Sequence, residues 1–230
     1  MIAESHSSSE LLGGLLFGAT RRGSVLSVHD LKFGDYVVCL TTPRKPRMPN
    51  GVECAVSAGP DLKVAIGGGR LLIGELEIEP GPPWDPVPRL IGVHRQPAGP
   101  QPLASDLTWI AKSTPATDEL IAGYVAGLVL LHHRRNRALQ IAGRAWGQVN
   151  PASATMLRHA ALGEVPEPVH HLLATGDIGP LLAFGSGGML WLRGLVSAGL
   201  LLETDEPMTA SAGPLSTPNR GLVAGHPRHI

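Results

Sequence analysis

The residues best suited to chemistry lie in a short turn ahead of an apolar stretch. Asp118 and Glu119 are adjacent carboxylates that follow Lys112 and Thr114 and precede the apolar stretch 120–131. Adjacent side chains on a helix point about 100° apart, so one ligand can meet only one of the two carboxylates. We expect Asp118 to act as a general base or orienting group, supported by the Thr114 hydroxyl, with Lys112 as an electrostatic clamp on substrate. Glu119 is the third catalytic candidate. Whichever of the two carboxylates does not face the ligand would cap the helix or meet solvent, and a purely structural cap remains the alternative for the pair.

A second small-residue turn, 184–190, precedes another apolar stretch, 191–202. Both stretches carry glycine at their fourth position, Gly123 and Gly194, which predicts two helices packed closely together. The free N–H groups at a helix start favour an anionic or carbonyl ligand. We therefore expect the two turns to share a substrate pocket, largely apolar, whose binding residues include Ser186, Leu190, Trp191 and Trp109.

Four more residues are candidates for the same cleft. His159 lies on one face of a predicted helix and is a weaker candidate base. His29 and Asp30, close to Ser27, stand at the end of a predicted strand, from which they could reach the cleft from the β side. The paired histidines of the chain face different ways on a helix, and zinc, P-loop, dinucleotide and nucleophile-elbow motifs are missing, so we expect no metal and no cofactor.

Composition narrows the range of partners. The chain has 230 residues, with 19 Lys and Arg against 19 Asp and Glu, so its formal charge of zero argues against nucleic-acid binding. The apolar stretch 120–131 is too short for the roughly 20 residues that span a membrane. Cys39 and Cys54 lack a C-x-x-C spacing and are expected to be free thiols. We expect a cytoplasmic protein that binds a small molecule and forms homo-oligomers or joins partner subunits.

The elements that must position these residues change in type along the chain. Short runs rich in Val, Ile and Leu predict strands at 24–28, 36–41, 52–57, 63–66 and 71–78, with a hairpin turn at 67–69. A proline-rich connector follows at 80–102. Helical patterns then occupy 118–133, 136–147, 152–162, 168–174 and 189–202.

These patterns predict an α+β fold in which an N-terminal antiparallel β meander or small barrel packs on a C-terminal helical bundle. The expected segments are an N-terminal helix or arm (1–22), a β-rich domain (23–95), a linker (96–106), a helical domain (107–204) and a flexible tail (205–230). A run of serines at 7–9 should cap the first helix.

At the turns described above, the chain resembles the prokaryotic family that includes the AllH-like subunit of oxamate carbamoyltransferase. Thr114, Pro115 and Asp118 match the family's first turn, with Gly123 in register. The segment 153–163 matches the family pattern Ser-Ala-x-x-Leu-x-x-Ala-x-x-Gly. The resemblance extends from about 23 to 202, and it implies carbamoyl transfer or membership of a multi-subunit enzyme.

The chain also departs from that pattern. Trp109 and Lys112 stand where the family has glycines, and Leu190 stands where it has an Asp. We therefore expect that the family's site has a different function in this chain. The protein would be an enzyme without cofactor that acts on a small, largely apolar metabolite in a cleft between the two halves. Its reaction would be acid–base chemistry, such as cyclisation, isomerisation or group transfer. A carbamoyl or acyl transferase, or a non-catalytic subunit of such a complex, remains the alternative.

Overall fold

A curled β-sheet forms the N-terminal half of the chain, and a helical region follows it. The computed structural model describes residues 1–97, 99–100 and 115–202. The curled sheet is a half-barrel, and with the helices it confirms the α+β fold. Each half has its own apolar core, one beneath the sheet and one among the helices.

The sheet has nine strands in the described part of the chain, in the order β8-β7-β6-β2-β3-β4-β5-β1-β9. Most neighbours are antiparallel, but β4–β5 and β1–β9 are parallel. The strands are β1 (Ser5–Ser7), β2 (Arg21–Val25), β3 (Asp30–Phe33), β4 (Tyr36–Thr41), β5 (Gly51–Glu53), β6 (Val64–Gly67), β7 (Arg70–Ile73), β8 (Leu76–Ile78) and β9 (Pro83–Trp84).

The glycine-rich segment 67–69 is the predicted hairpin turn. Strands β6 and β7 pair antiparallel across it, with Gly67 opposite Arg70. Gly68 and Gly69 have φ angles of 61° and 79°, the left-handed region that a type I′ hairpin turn requires at both positions.

The predicted strand 71–78 is two strands. Gly74 has a φ of 63° and turns the chain between β7 and β8, which pair antiparallel. Leu71 and Ile73 are buried, whereas Leu72 is only half-buried. The period of two in the sequence therefore ends at Gly74, because a left-handed residue reverses the strand.

The N-terminal segment belongs to the sheet. Strand β1 lies between β5 and β9, and helix α1 (Glu10–Leu16) packs Leu12 and Leu16 into the core of the β half. Ser9 caps α1 by accepting a hydrogen bond from the N–H of Leu11 at 3.2 Å, in the predicted serine run. The predicted N-terminal helix is therefore present, but residues 1–22 also add strands to the sheet, which the sequence did not predict.

The five predicted helices are present with shifted ends, and a short helix at 179–183 was not predicted. They are α2 (Pro115–Leu130), α3 (Arg135–Ala145), α4 (Pro151–Ala160), α5 (Glu167–Thr175), α6 (Gly179–Ala183) and α7 (Ser186–Ser197). The last predicted helix is too long, because Gly199 has a φ of 97° and the chain then forms β11 (Leu200–Leu202). This strand pairs antiparallel with β10 (Val93–Arg95).

The two glycine-bearing helices α2 and α7 pack closely, as predicted. A β-carbon at Gly123 would lie 2.3 Å from the carbonyl oxygen of Trp191, and one at Gly194 would lie 2.3 Å from that of Leu120. Both distances are far below van der Waals contact, so the crossing needs glycine on each helix.

Most of the predicted linker and the whole predicted tail lie outside the described residues. In the part of the chain that the structure describes, no helix has the length and apolar character needed to cross a membrane.

Candidate functional site

A pocket of about 220 Å³ lies between the β half and the helical half, where the sequence predicted a cleft. We call it the central pocket. Its walls come from both halves and carry two carboxyl groups, Asp30 and Glu119. The lining residues are Asp30, Cys39, Met48, Asn50, Glu119, Asn150, Ala152, Ser153 and Met156.

The β wall is set by strand register. Asp30 on β3 is directly opposite Cys39 on β4, so both side chains reach the same face of the sheet. The hydroxyl of Ser27 donates a hydrogen bond of 2.8 Å to Oδ2 of Asp30, and the N–H of His29 donates to the Ser27 oxygen at 3.2 Å. Ser27 and His29 are exposed and do not line the pocket, so Ser27 acts through Asp30.

Several of the lining residues were not among the candidates taken from the sequence. Cys39 could have been found by pairing β4 with β3, but β3 was not among the predicted strands. Asn50 lies beyond the proline-rich loop 42–49, and its amide donates to the carbonyl of Val37 at 2.8 Å. No local pattern marks Met48 or Met156 as neighbours across the two halves.

Glu119 supplies the carboxyl group of the helical wall. It is half-buried in the first turns of α2 and faces the pocket. Burial raises the pKa of Glu119, and the neighbouring Asp118 carboxylate raises it further. Glu119 therefore holds its proton to a higher pH than an ordinary glutamate.

Asp118 takes the inward position on the same helix. Its side chain is 2% exposed and does not line the central pocket. The sequence favoured Asp118 as the group that faces a ligand, but the rotation of α2 gives that place to Glu119. The packing of α2 against α7 sets which side of α2 faces the pocket, and the sequence of the turn alone does not predict this packing.

The two predicted turns meet at Glu119. A β-carbon at Gly187 would lie 2.8 Å from Oε1 of Glu119, so this carboxyl group packs against the first turn of α7. Ser186 is the first residue of α7 and is exposed, without lining the central pocket. Because residue 187 is glycine, the Glu119 carboxyl group occupies space that a side chain at 187 would otherwise fill.

The remaining predicted pocket residues have other surroundings. Trp191 is 1% exposed and belongs to the helical core, and Leu190 is half-buried beside it in α7. Neither lines the central pocket. Trp109, Lys112 and Thr114 lie outside the described residues.

His159 forms a buried polar network instead of facing the pocket. Its Nδ1 lies 2.5 Å from Oε2 of Glu164, and its Nε2 lies 2.8 Å from the hydroxyl of Tyr36. The hydroxyl of Ser9 donates to the same Glu164 oxygen at 2.9 Å. All four side chains are buried, so this network joins the two halves and has no access to a ligand.

Cys39 lines the central pocket but is a poor nucleophile. Burial raises its pKa to about 12, and the nearby Asp30 contributes in the same direction. Both Cys39 and Cys54 are free thiols, as predicted.

The described residues contain no group of three or more His, Cys, Asp or Glu side chains placed to hold a metal ion.

Asn150, on the helical wall of the central pocket, has a structural role. It caps α4 by accepting a hydrogen bond from the N–H of Ser153 at 2.9 Å. The groups left for chemistry in the central pocket are the carboxyls of Asp30 and Glu119.

No family model, curated protein or solved structure matches this chain.

Proposed function

We propose that this protein is an enzyme that performs acid–base chemistry on a small, largely apolar metabolite in the central pocket. The observation that carries the proposal is the pair of carboxyl groups, Asp30 from the sheet and Glu119 from α2, that line one pocket between the halves. Two positioned acid–base groups can move a proton from one atom of a substrate to another, as isomerisation and cyclisation require.

The surroundings of the two groups suit different tasks. Burial and the Asp118 carboxylate raise the pKa of Glu119, which favours Glu119 as the proton donor. The Ser27 hydroxyl holds the Asp30 carboxyl group in one orientation, which favours Asp30 as the proton acceptor. Met48, Ala152 and Met156 provide apolar walls, and a volume of about 220 Å³ limits the substrate to a small molecule.

Proton exchange with solvent tests this proposal before the substrate is known. The protein is incubated in D₂O with a panel of small metabolites that carry a C–H bond next to a carbonyl group, and deuterium uptake is measured by mass spectrometry. We expect catalysed uptake into at least one compound. Because Glu119→Gln and Asp30→Asn each remove one transfer group, we expect each to lower the rate about 100-fold or more.

Glu75→Gln is the matched control, since it makes the same chemical change at an exposed position of the β half. It should exchange at the wild-type rate. Uptake that survives both Glu119→Gln and Asp30→Asn would place the chemistry elsewhere. No uptake above the protein-free rate in any compound would count against proton transfer from carbon as the reaction.

Carbamoyl or acyl transfer is the second candidate function. It is favoured by the contact between Glu119 and Gly187, because the turns that carry the family resemblance come together in one place. Its test is release of phosphate from carbamoyl phosphate by the purified protein alone. Phosphate release that depends on Glu119, without deuterium uptake, would replace the first candidate with the second.

A further inference from the structure

A second and larger pocket lies on the other side of the loop between β4 and β5. It has a volume of about 620 Å³, within the range of small-molecule sites, and we call it the basic pocket. Arg47 of this loop lines the basic pocket, while its neighbour Met48 lines the central pocket. The lining residues are Arg44, Lys45, Pro46, Arg47, Glu53, Glu167, Pro168, His171, Pro180 and Ala183.

The wall formed by the loop is rich in positive charge. Arg44, Lys45 and Arg47 line it, against two carboxylates, Glu53 and Glu167. Arg44 and Lys45 are exposed and form no ion pair with any residue that the structure describes. Two cations are therefore available to a ligand.

Arg47 and Glu167 form an ion pair with each other. Nε and Nη2 of Arg47 donate to Oε1 of Glu167 at 3.1 Å and 2.7 Å, and the Arg47 N–H donates to Oε2 at 2.9 Å. The Arg47 guanidinium also lies over the Trp84 ring, 5.2 Å from its centroid. Burial raises the pKa of Glu167, but the hydrogen bonds from Arg47 outweigh that effect and lower it overall. Glu167 thus neutralises Arg47. The other carboxylate, Glu53, accepts a hydrogen bond from the Ser5 hydroxyl at 2.6 Å, and Arg44 and Lys45 together outweigh its single negative charge.

The loop also holds Arg44 in an unusual backbone conformation. Arg44 has a φ of 73°, in the left-handed region that residues other than glycine seldom adopt. Prolines at 43, 46 and 49 stiffen the loop around it. Strain of this kind persists where the surrounding structure fixes it, and it concentrates at ligand sites.

We propose that the basic pocket binds a small organic anion. The anionic group, a phosphate or a carboxylate, would be held by Arg44 and Lys45, since both groups accept charge-assisted hydrogen bonds from these cations. The organic part would lie against the apolar wall of Pro168, Pro180 and Ala183. This site is independent of the proposed chemistry in the central pocket.

Backbone amide shifts in NMR titrations test the proposal with inorganic phosphate and acetate as separate probes. Sodium chloride keeps the ionic strength constant. We expect saturable shifts at residues 44, 45, 47 and 171 with at least one probe, and the responding probe identifies the anionic group. Arg44→Gly with Lys45→Gln should weaken binding by about tenfold or more, because it removes both free cations. Glycine adopts a φ of 73° without strain, so this substitution is compatible with the loop conformation.

Arg135→Gln with Arg137→Gln is the matched control. It also removes two positive charges, but from a separate basic cluster at the start of α3. We expect this control to bind the probe with wild-type affinity. The proposal is wrong if both probes give only linear, non-saturating shifts, if the Arg44 and Lys45 variant binds as tightly as wild type, or if the α3 control weakens binding equally.

Discussion

At the level of single residues, strand register and helix rotation decide which groups face the central pocket. Asp30 and Cys39 are cross-strand neighbours, so one face of the sheet presents a carboxyl group and a thiol together. Glu119 and Asp118 are neighbours along α2, so rotation separates them and only Glu119 reaches the pocket. The proposed chemistry therefore depends on Glu119 and Asp30.

The thiol of Cys39 should be nearly inert although it lines a pocket. With a pKa of about 12, its thiolate fraction at pH 8 is roughly a thousandfold below that of a free cysteine. We expect iodoacetamide to label Cys39 at least about 100-fold more slowly than a cysteine peptide, as measured by mass spectrometry. Because Asp30 adds to the rise, Asp30→Asn should speed labelling several-fold.

Labelling in concentrated urea is the control, since both cysteines should then react at the rate of the peptide. If native Cys39 reacts as fast as the peptide, the thiol is not buried in the way that the structure shows. That result would also reopen a nucleophilic role for Cys39 in the central pocket.

At the level of elements, the packing of α2 against α7 sets the rotation that directs Glu119. The crossing depends on glycine at two points, where carbonyl oxygens of the facing helix occupy the space of a side chain. The same pair of helices brings Gly187 to the Glu119 carboxyl group. A change at the crossing should therefore affect both stability and the central pocket.

Gly123→Ala should lower the free energy of unfolding by about 3 kcal/mol. Its β-carbon would lie 2.3 Å from the Trp191 carbonyl oxygen, and a clash with backbone forces the helices apart. Urea denaturation followed by circular dichroism measures the change.

Gly143→Ala on α3 is the matched helical control. Nothing lies within 4 Å of a β-carbon at this exposed position, so the higher helix propensity of alanine should raise stability by about 0.5–1 kcal/mol. Equal effects of the two substitutions would show that helix propensity, and not close packing, governs position 123.

At the level of the whole molecule, buried polar contacts join the sheet to the helices. Ser9, Tyr36, His159 and Glu164 form one network across the interface. The backbone N–H of Val37 donates to the Thr155 hydroxyl at 2.9 Å nearby. Because an unpaired buried polar group is costly, this network fixes how the halves meet.

Ser9→Ala should lower the free energy of unfolding by about 2 kcal/mol. The substitution removes the N-cap of α1 and also a hydrogen bond to the buried Glu164 carboxyl group. Ser8→Ala, next to it and exposed, should change stability by less than about 0.5 kcal/mol. Both values come from urea denaturation, and a single shared transition for sheet and helices is expected. If Ser9→Ala is as mild as Ser8→Ala, the network does not stabilise the interface.

The sequence by itself determined the class of fold and many of its elements. Strand β4 has the predicted bounds, the 67–69 turn is a hairpin, and the glycine-bearing helices pack together. The strand and the hairpin depend on local chemistry, since alternation and glycine φ freedom act within a few positions of the chain. The packing of α2 on α7 is a long-range contact, predicted from the glycine that both apolar stretches carry at their fourth position. Gly74 is the exception, because the alternation continued through a residue that turns the chain.

Asp30 and Glu119 are candidates from the sequence, but only the tertiary structure decided that these two share a pocket. Asp30 and Glu119 lie 89 residues apart and meet because the halves pack together. His159 was predicted at the cleft, but contacts with Tyr36 of β4 and with Glu164, five residues further along the chain, bury it in the interface. The side chain that faces a pocket depends on register and rotation set by distant contacts, and a single sequence without those contacts does not contain that information.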